Sequence, residues 1–198
     1  MRIIGITGGV GAGKSEILAY IQNNYNSRIV RADEVAHLVK EPGQECYDRL
    51  ITLLGKEVLN NDKTINKGKM AELIFTNDEL LAQVNALIHP AVKKYILDQI
   101  EVERNQGKVD FFFIEAALLI EEHYDTIVDE MWYIHADVAV REKRLSQSRH
   151  YSDKKIADIM RGQLSEEVFR SHCNVVISNS GDIEDTYKQI NNIMGERI

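Results

Sequence analysis

The chain has 198 residues, 44% hydrophobic and 28% charged, an ordinary globular composition that is long enough for one buried α/β core. Its net charge of -7 argues against a broad nucleic-acid footprint, so any phosphate-binding cations must be concentrated locally. The opening MRIIGITGG has no long apolar run, no stretch approaches a membrane span, and Cys46 and Cys173 lie far apart without metal-ligand spacing. The expectation is a soluble cytoplasmic protein with reduced thiols, a monomer or small homo-oligomer, and no membrane or nucleic-acid partner.

In chain order, the first strand candidate covers residues 2–6 and runs directly into GGVGAGKS at residues 8–15. Gly8, four further residues, then Gly13, Lys14 and Ser15 is the full spacing of a phosphate-binding loop, or P-loop. Glycines let successive backbone N–H groups turn toward a phosphate without side-chain obstruction. The helix that follows adds its partial positive charge, Lys14 reaches the β- and γ-phosphates, and the Ser15 hydroxyl ligates Mg²⁺. These residues point to ATP as the bound nucleotide; no NKxD-type tetrapeptide is present to read guanine.

A second strand candidate, residues 28–32, is followed by Asp33. In an open parallel sheet that position lines the ligand crevice, where a carboxylate can accept a proton from an attacking hydroxyl; the alternative is a helix cap for EVAHLV. Residues 41–107 are largely helical in pattern, far more than one crossover needs, and read as an insertion for substrate selection. Within it Pro90 is expected to open a second helical stretch, and His89 before it is either a substrate contact or a buried or capping histidine.

Residues 111–115, FFFIE, form a third strand that delivers Glu115 to the same crevice, where it can orient Mg²⁺ through water or merely begin the next helix. Residues 131–135 and 174–178 complete five short apolar runs separated by helices, the pattern of a parallel sheet covered on both faces. Between them, five of the eleven arginines (Arg141, Arg144, Arg149, Arg161 and Arg170) fall in about thirty residues of an acidic protein. They read either as a mobile lid, about 141–172, that spreads charge off a γ-phosphate, or as solvated faces paired with Glu142, Asp153, Asp158 and Glu166. Asp182 precedes a helical stripe from Ile183 to Met194 and is placed to cap it.

The ordered series IGITGGVGAGKS (4–15), ADEVAHLV (32–39), EPG (41–43), IF (74–75), LIHPAV (87–92), ALLIEE (117–122), Arg144–Leu145, Gln163 and VVISNSG (175–181) resembles the dephospho-CoA kinase family over essentially the whole chain. The resemblance implies a P-loop NTPase-type α/β fold with a five-stranded parallel sheet, a helical substrate-side insertion and an arginine-bearing lid. It implies ATP contacts at Gly11, Ala12, Gly13, Lys14, Ser15 and Glu16, and catalytic roles for Lys14, Asp33, Arg144 and Arg149. Acceptor contacts fall on Lys67, His89 and Glu121, the metal on Ser15 and Glu115, and the reaction is phosphorylation of the ribose 3′-hydroxyl of dephospho-CoA. Departures from the family pattern are Arg31 for the first acid of Asp-Ala-Asp, Glu115-Ala-Ala-Leu-Leu-Ile-Glu121 for Asp-x-Pro-Leu-Leu-Phe-Glu, Lys67 for arginine, Ser148 for a lid arginine, and Asn174 for an acid. The residues alone leave open a kinase of another small metabolite, or a nucleotide-binding regulatory protein without turnover.

Overall fold

The computed structural model describes residues 1–196. Five strands, β1 (Arg2–Thr7), β2 (Ser27–Arg31), β3 (Phe111–Glu115), β4 (Glu130–His135) and β5 (Val175–Ser178), form one parallel sheet in the order β2-β3-β1-β4-β5. Each is the short apolar run expected from the sequence, shifted by a residue or two at most. β1 lies at the centre, with Ile4 opposite Phe113 on one side and Glu130 on the other. Central strands buried on both faces have no polar side to alternate with, which is why RIIGIT and FFFIE read as continuous apolar runs.

The chain divides into two compact units, and the division falls within β2. The first unit comprises the first 29 residues and the stretch from Gly107 onward. Its core joins Ile4, Ile6, Phe113, Trp132 and Ile134 of the sheet to Ile17, Leu18 and Ile21 of α1 (Lys14–Asn24) and to Ile190 and Met194 of α9 (Ile183–Gly195). Phe113 and Trp132 meet edge to face at 5.7 Å, a favourable arrangement for aromatic quadrupoles. The Asp182 side chain accepts from Glu184 N at 3.1 Å, the cap anticipated for α9.

Three further helices of this unit, α6 (Val138–Arg149), α7 (Asp153–Arg161) and α8 (Glu166–His172), occupy the arginine-rich segment. Ser152 caps α7 and Ser165 caps α8 through their side chains. α8 is fastened to β4 by stacking of Phe169 on Tyr133, ring centroids 4.8 Å apart, and by His135 Nε2 lying 3.4 Å from Glu166 Oε1.

The second unit, Val30–Gln106, holds α2 (Ala32–Leu38), α3 (Tyr47–Leu54), α4 (Lys67–Phe75) and α5 (Asp78–Gln106). Helices α2, α3 and α4 all pack on α5. The expected new helix at Pro90 does not occur: α5 runs unbroken for 29 residues with Pro90 inside it. Proline there removes the bond to the Ala86 carbonyl, at a cost of about 3 kcal/mol in an isolated helix. Ala86 and Pro90 both lie on the exposed side, while the buried stripe Val84, Ile88, Ala91, Val92, Ile96 and Ile100 keeps its phase across the proline. Packing of that stripe holds the helix together where local propensity would end it. No helix among the described residues is long and apolar enough to cross a membrane.

Candidate active site

The phosphate loop follows the central strand and ends in α1, so its position is set by the best-buried part of the sheet. Two of its glycines are sterically required. Gly8 has φ 149° and a Cβ there would lie 2.4 Å from the Ile134 carbonyl oxygen; Gly13 has φ 90° and a Cβ would lie 2.3 Å from Asn179 Nδ2. Gly13 is also the N-cap of α1, and no side chain caps that helix, which leaves its first N–H groups for an acceptor from outside. Just before the loop, the buried Thr7 hydroxyl has no hydrogen-bond partner among the described residues. The loop is thus a cradle that suits phosphate oxygens.

Lys14 is the first residue of α1; its Nζ donates to the Gly8 carbonyl at 2.8 Å and lies 3.9 Å from Glu115 Oε1. Glu115 is the last residue of β3, opposite Ile6 of β1, and does not begin a helix. The expected lysine and acid are therefore neighbours at the strand ends. Ser15 and Glu16 follow in the first turn of α1, both exposed, and Glu16 accepts from the Tyr187 hydroxyl at 3.5 Å. Among the described residues, no cluster of three or more His, Cys, Asp or Glu side chains could hold a metal by itself. A cation here would draw its ligands from Ser15, phosphate oxygens and water beside Glu115, the donor set that suits Mg²⁺.

The arginine segment resolves into distinct environments. Arg144 Nη1 donates to the carbonyls of Gly11 and Ala12, both at 3.4 Å. Arg141, one of the five arginines but not among those given a catalytic role, lies against the loop: its Nε donates to the Val10 carbonyl at 2.9 Å, and a Cβ at Gly9 would fall 2.3 Å from its Nη2. Burial lowers the Arg141 pKa from its ordinary value. Arg149 ends α6, exposed, and its partner is Tyr151, whose hydroxyl pKa that hydrogen bond lowers; among the described residues Arg149 has no bond to the loop. Arg161 and Arg170 pair with Asp158 at 3.4 Å and Glu166 at 2.7 Å, as solvated faces do. The segment faces the loop at its start and is surface-paired further on.

A residue that no single-site reading identified closes the loop from the other side. Asn179, 2% exposed after β5, donates from Nδ2 to the Ala12 carbonyl at 2.7 Å and accepts from the Thr186 hydroxyl at 3.1 Å. Glu121, predicted to meet substrate, is exposed in the turns after β3.

In the second unit, Asp33 is the second residue of α2 and exposed. The helix-cap alternative does not hold: Arg31 is the N-cap, without a side-chain bond, and Asp33 lies inside the first turn. Arg31 reaches Glu34 at 3.7 Å rather than Asp33. Lys67 opens α4, which Asn66 caps by accepting from Lys69 N at 3.0 Å. Burial, and then the Lys67 charge, lower the pKa of Lys40, so the α2 and α4 ends carry mutually repelling cations. His89 sits half-buried in α5 before Pro90.

The dephospho-CoA kinase family model matches residues 2–185. A dephospho-CoA kinase of Oceanobacillus iheyensis is 31% identical over 192 residues, covering 97% of this chain and 96% of that protein. One from Carboxydothermus hydrogenoformans is 33% identical over 194 residues, covering 98% and 93%. The solved dephospho-CoA kinase from Campylobacter jejuni superimposes with a TM-score of 0.73 over all of both chains at 20% identity, a likeness of fold. The chain belongs to the dephospho-CoA kinase family.

Proposed function

We propose that the protein transfers the γ-phosphoryl group of Mg²⁺-ATP to the ribose 3′-hydroxyl of dephospho-CoA. The observation that carries this reading is the phosphate loop with Lys14, Arg141 and Arg144 all bonded to its carbonyls, in a chain matched by the family model from residue 2 to 185. Phosphoryl transfer asks little covalent chemistry of a protein; it asks for positioning and for positive charge where the transferring oxygens gain negative charge. Gly11, Ala12, Gly13, Lys14, Ser15 and Glu16 form the nucleotide site in this reading. Lys14, Arg141 and Arg144 hold the phosphates and exclude water. Mg²⁺ bound at Ser15, with Glu115 acting through water, would neutralise charge on the β- and γ-phosphates.

Four residues are assigned to the acceptor. Asp33, without a salt-bridge partner among the described residues, accepts the proton of the 3′-hydroxyl. Lys67, with Lys40 nearby, meets anionic groups of the acceptor, and His89 and Glu121 are assigned to it as well. Substrates are small molecules, and the proposed place of action is the cytoplasm.

An acceptor panel tests the assignment. ADP release from ATP is followed with dephospho-CoA, adenosine monophosphate and shikimate in parallel. Dephospho-CoA should give kcat/KM at least about tenfold above the others, a discrimination of roughly 1.4 kcal/mol. Equal or better turnover of another acceptor would reassign the substrate while leaving the kinase chemistry in place.

A further inference from the structure

Arg141 forms two side-chain hydrogen bonds among the described residues, and only one goes to the phosphate loop. The other runs from Nη2 to Oε1 of Gln163, which lies in the turn between α7 and α8, 22 positions further along the chain. Both ends of this bond are well anchored. α6 is seated on the loop through buried Leu145, which a Cβ at Gly11 would approach to 3.2 Å, and α8 is fixed to β4 by the Phe169–Tyr133 stack and the His135–Glu166 contact. The guanidinium is therefore gripped between the loop and the α7–α8 turn.

The chemistry of the grip differs from that of the surface-paired arginines further along. Arg161 and Arg170 are neutralised by carboxylates, whereas Arg141 is half-buried and, among the described residues, bonded to a carbonyl and an amide. A desolvated cation with neutral partners keeps its whole charge and favours an incoming anion. Of the five N–H donors of a guanidinium, two are used, which leaves others for phosphate oxygens. A carboxylate at position 163 would bind the guanidinium more tightly but would cancel the charge that the site needs.

We infer that Gln163 is the positioning residue for Arg141: its neutral amide oxygen aims the guanidinium at the γ-phosphate of bound ATP without spending its charge. This rests on reading the chain as an ATP-dependent kinase.

The test compares Gln163→Glu with Gln163→Ala. The readouts are thermal midpoint, kcat and KM for ATP with dephospho-CoA, and affinity for a non-hydrolysable ATP analogue relative to ADP. Gln163→Glu should keep or raise the thermal midpoint, yet lower kcat by about 10–10²-fold, a fraction of what a transition-state arginine supplies. Its KM for ATP should change less than its kcat, and its preference for the analogue over ADP should fall several-fold, because the lost charge acts at the γ-phosphate. Gln163→Ala, which frees the guanidinium without neutralising it, should lose less activity than Gln163→Glu although it loses a bond. A Gln163→Glu protein with wild-type kcat and analogue preference, or losses that follow thermal midpoint across both variants, overturns the inference. The analogue-to-ADP ratio involves no acceptor, so it stands as a test even if dephospho-CoA proves to be the wrong substrate.

Discussion

Replacing Asn179 by alanine should damage the phosphate loop without touching any residue that meets nucleotide through its side chain. Asn179 is 2% exposed; its Nδ2 donates to the Ala12 carbonyl at 2.7 Å and its Oδ1 accepts from Thr186 Oγ1 at 3.1 Å. Thr186 has a second acceptor in the Ser178 carbonyl at 3.1 Å and can turn to it, whereas the Ala12 carbonyl loses its closest side-chain donor, Arg144 standing off at 3.4 Å. Leaving a buried acceptor unsatisfied costs about 1–3 kcal/mol. Removing a buried side chain adds a cavity contribution, so a total of about 2–4 kcal/mol follows. At roughly 2–4 °C per kcal/mol for a chain of this size, the thermal midpoint should fall by roughly 5–15 °C. The loop moves with the carbonyl it loses, so KM for ATP should rise several-fold while KM for the acceptor changes little. Scanning calorimetry and steady-state kinetics on wild type and Asn179→Ala measure both. A midpoint within about 2 °C of wild type with unchanged KM for ATP would refute the claim that this asparagine holds the loop.

Other perturbations separate the proposed roles. Lys14→Ala should abolish turnover with the thermal midpoint nearly unchanged, because the lysine serves phosphate and lies outside the apolar core; retained turnover would remove the loop from the mechanism. Asp33→Asn should lower kcat by about 10²–10⁴-fold, the usual general-base contribution, and leave ATP affinity unaltered; titration of ATP alongside the kinetics decides this. Burial pushes the Cys173 thiol up to about 11, so the folded protein holds its proton through neutral pH, and the contribution of that neutral thiol to stability is lost as pH rises from the unfolded value through the folded one. Alkylation of Cys173 at pH 8 should therefore be slow until the chain unfolds; rapid labelling of the native protein would contradict that environment.

The sheet, the loop and the Asp182 cap were legible in the sequence because each rests on local chemistry: continuous apolar runs, the Gly-Lys-Ser spacing, an acid ahead of a helical stripe. Pro90 was misread because local propensity is a statement about an isolated helix, and the stripe from Val84 to Ile100 overrides it through packing. The arginines show what position along a helix decides. Arg141 lies three residues before Arg144 and four before Leu145, which is buried against the loop. Arg149 falls at the end of that helix and turns to Tyr151. Both Arg141 and Arg149 stand four residues from buried Leu145, so phase does not separate them; their places at the start and the end of the helix do. Gln163 and Asn179 were visible only as members of a motif, because what each does depends on chain segments brought together by the sheet. Arg31 was read as the neighbour of Asp33 along the chain, but helical spacing brings it to Glu34 three residues on.

The central claim is that this chain moves the γ-phosphoryl group of ATP onto the 3′-hydroxyl of dephospho-CoA. Its most direct test is a single-turnover reaction with γ-labelled ATP, Mg²⁺ and dephospho-CoA, with products separated and the label located. The account predicts label in coenzyme A, on the ribose 3′-phosphate, with loss of the signal in Lys14→Ala. Label appearing only as inorganic phosphate, or remaining in ATP under conditions where ATP is bound, would contradict it.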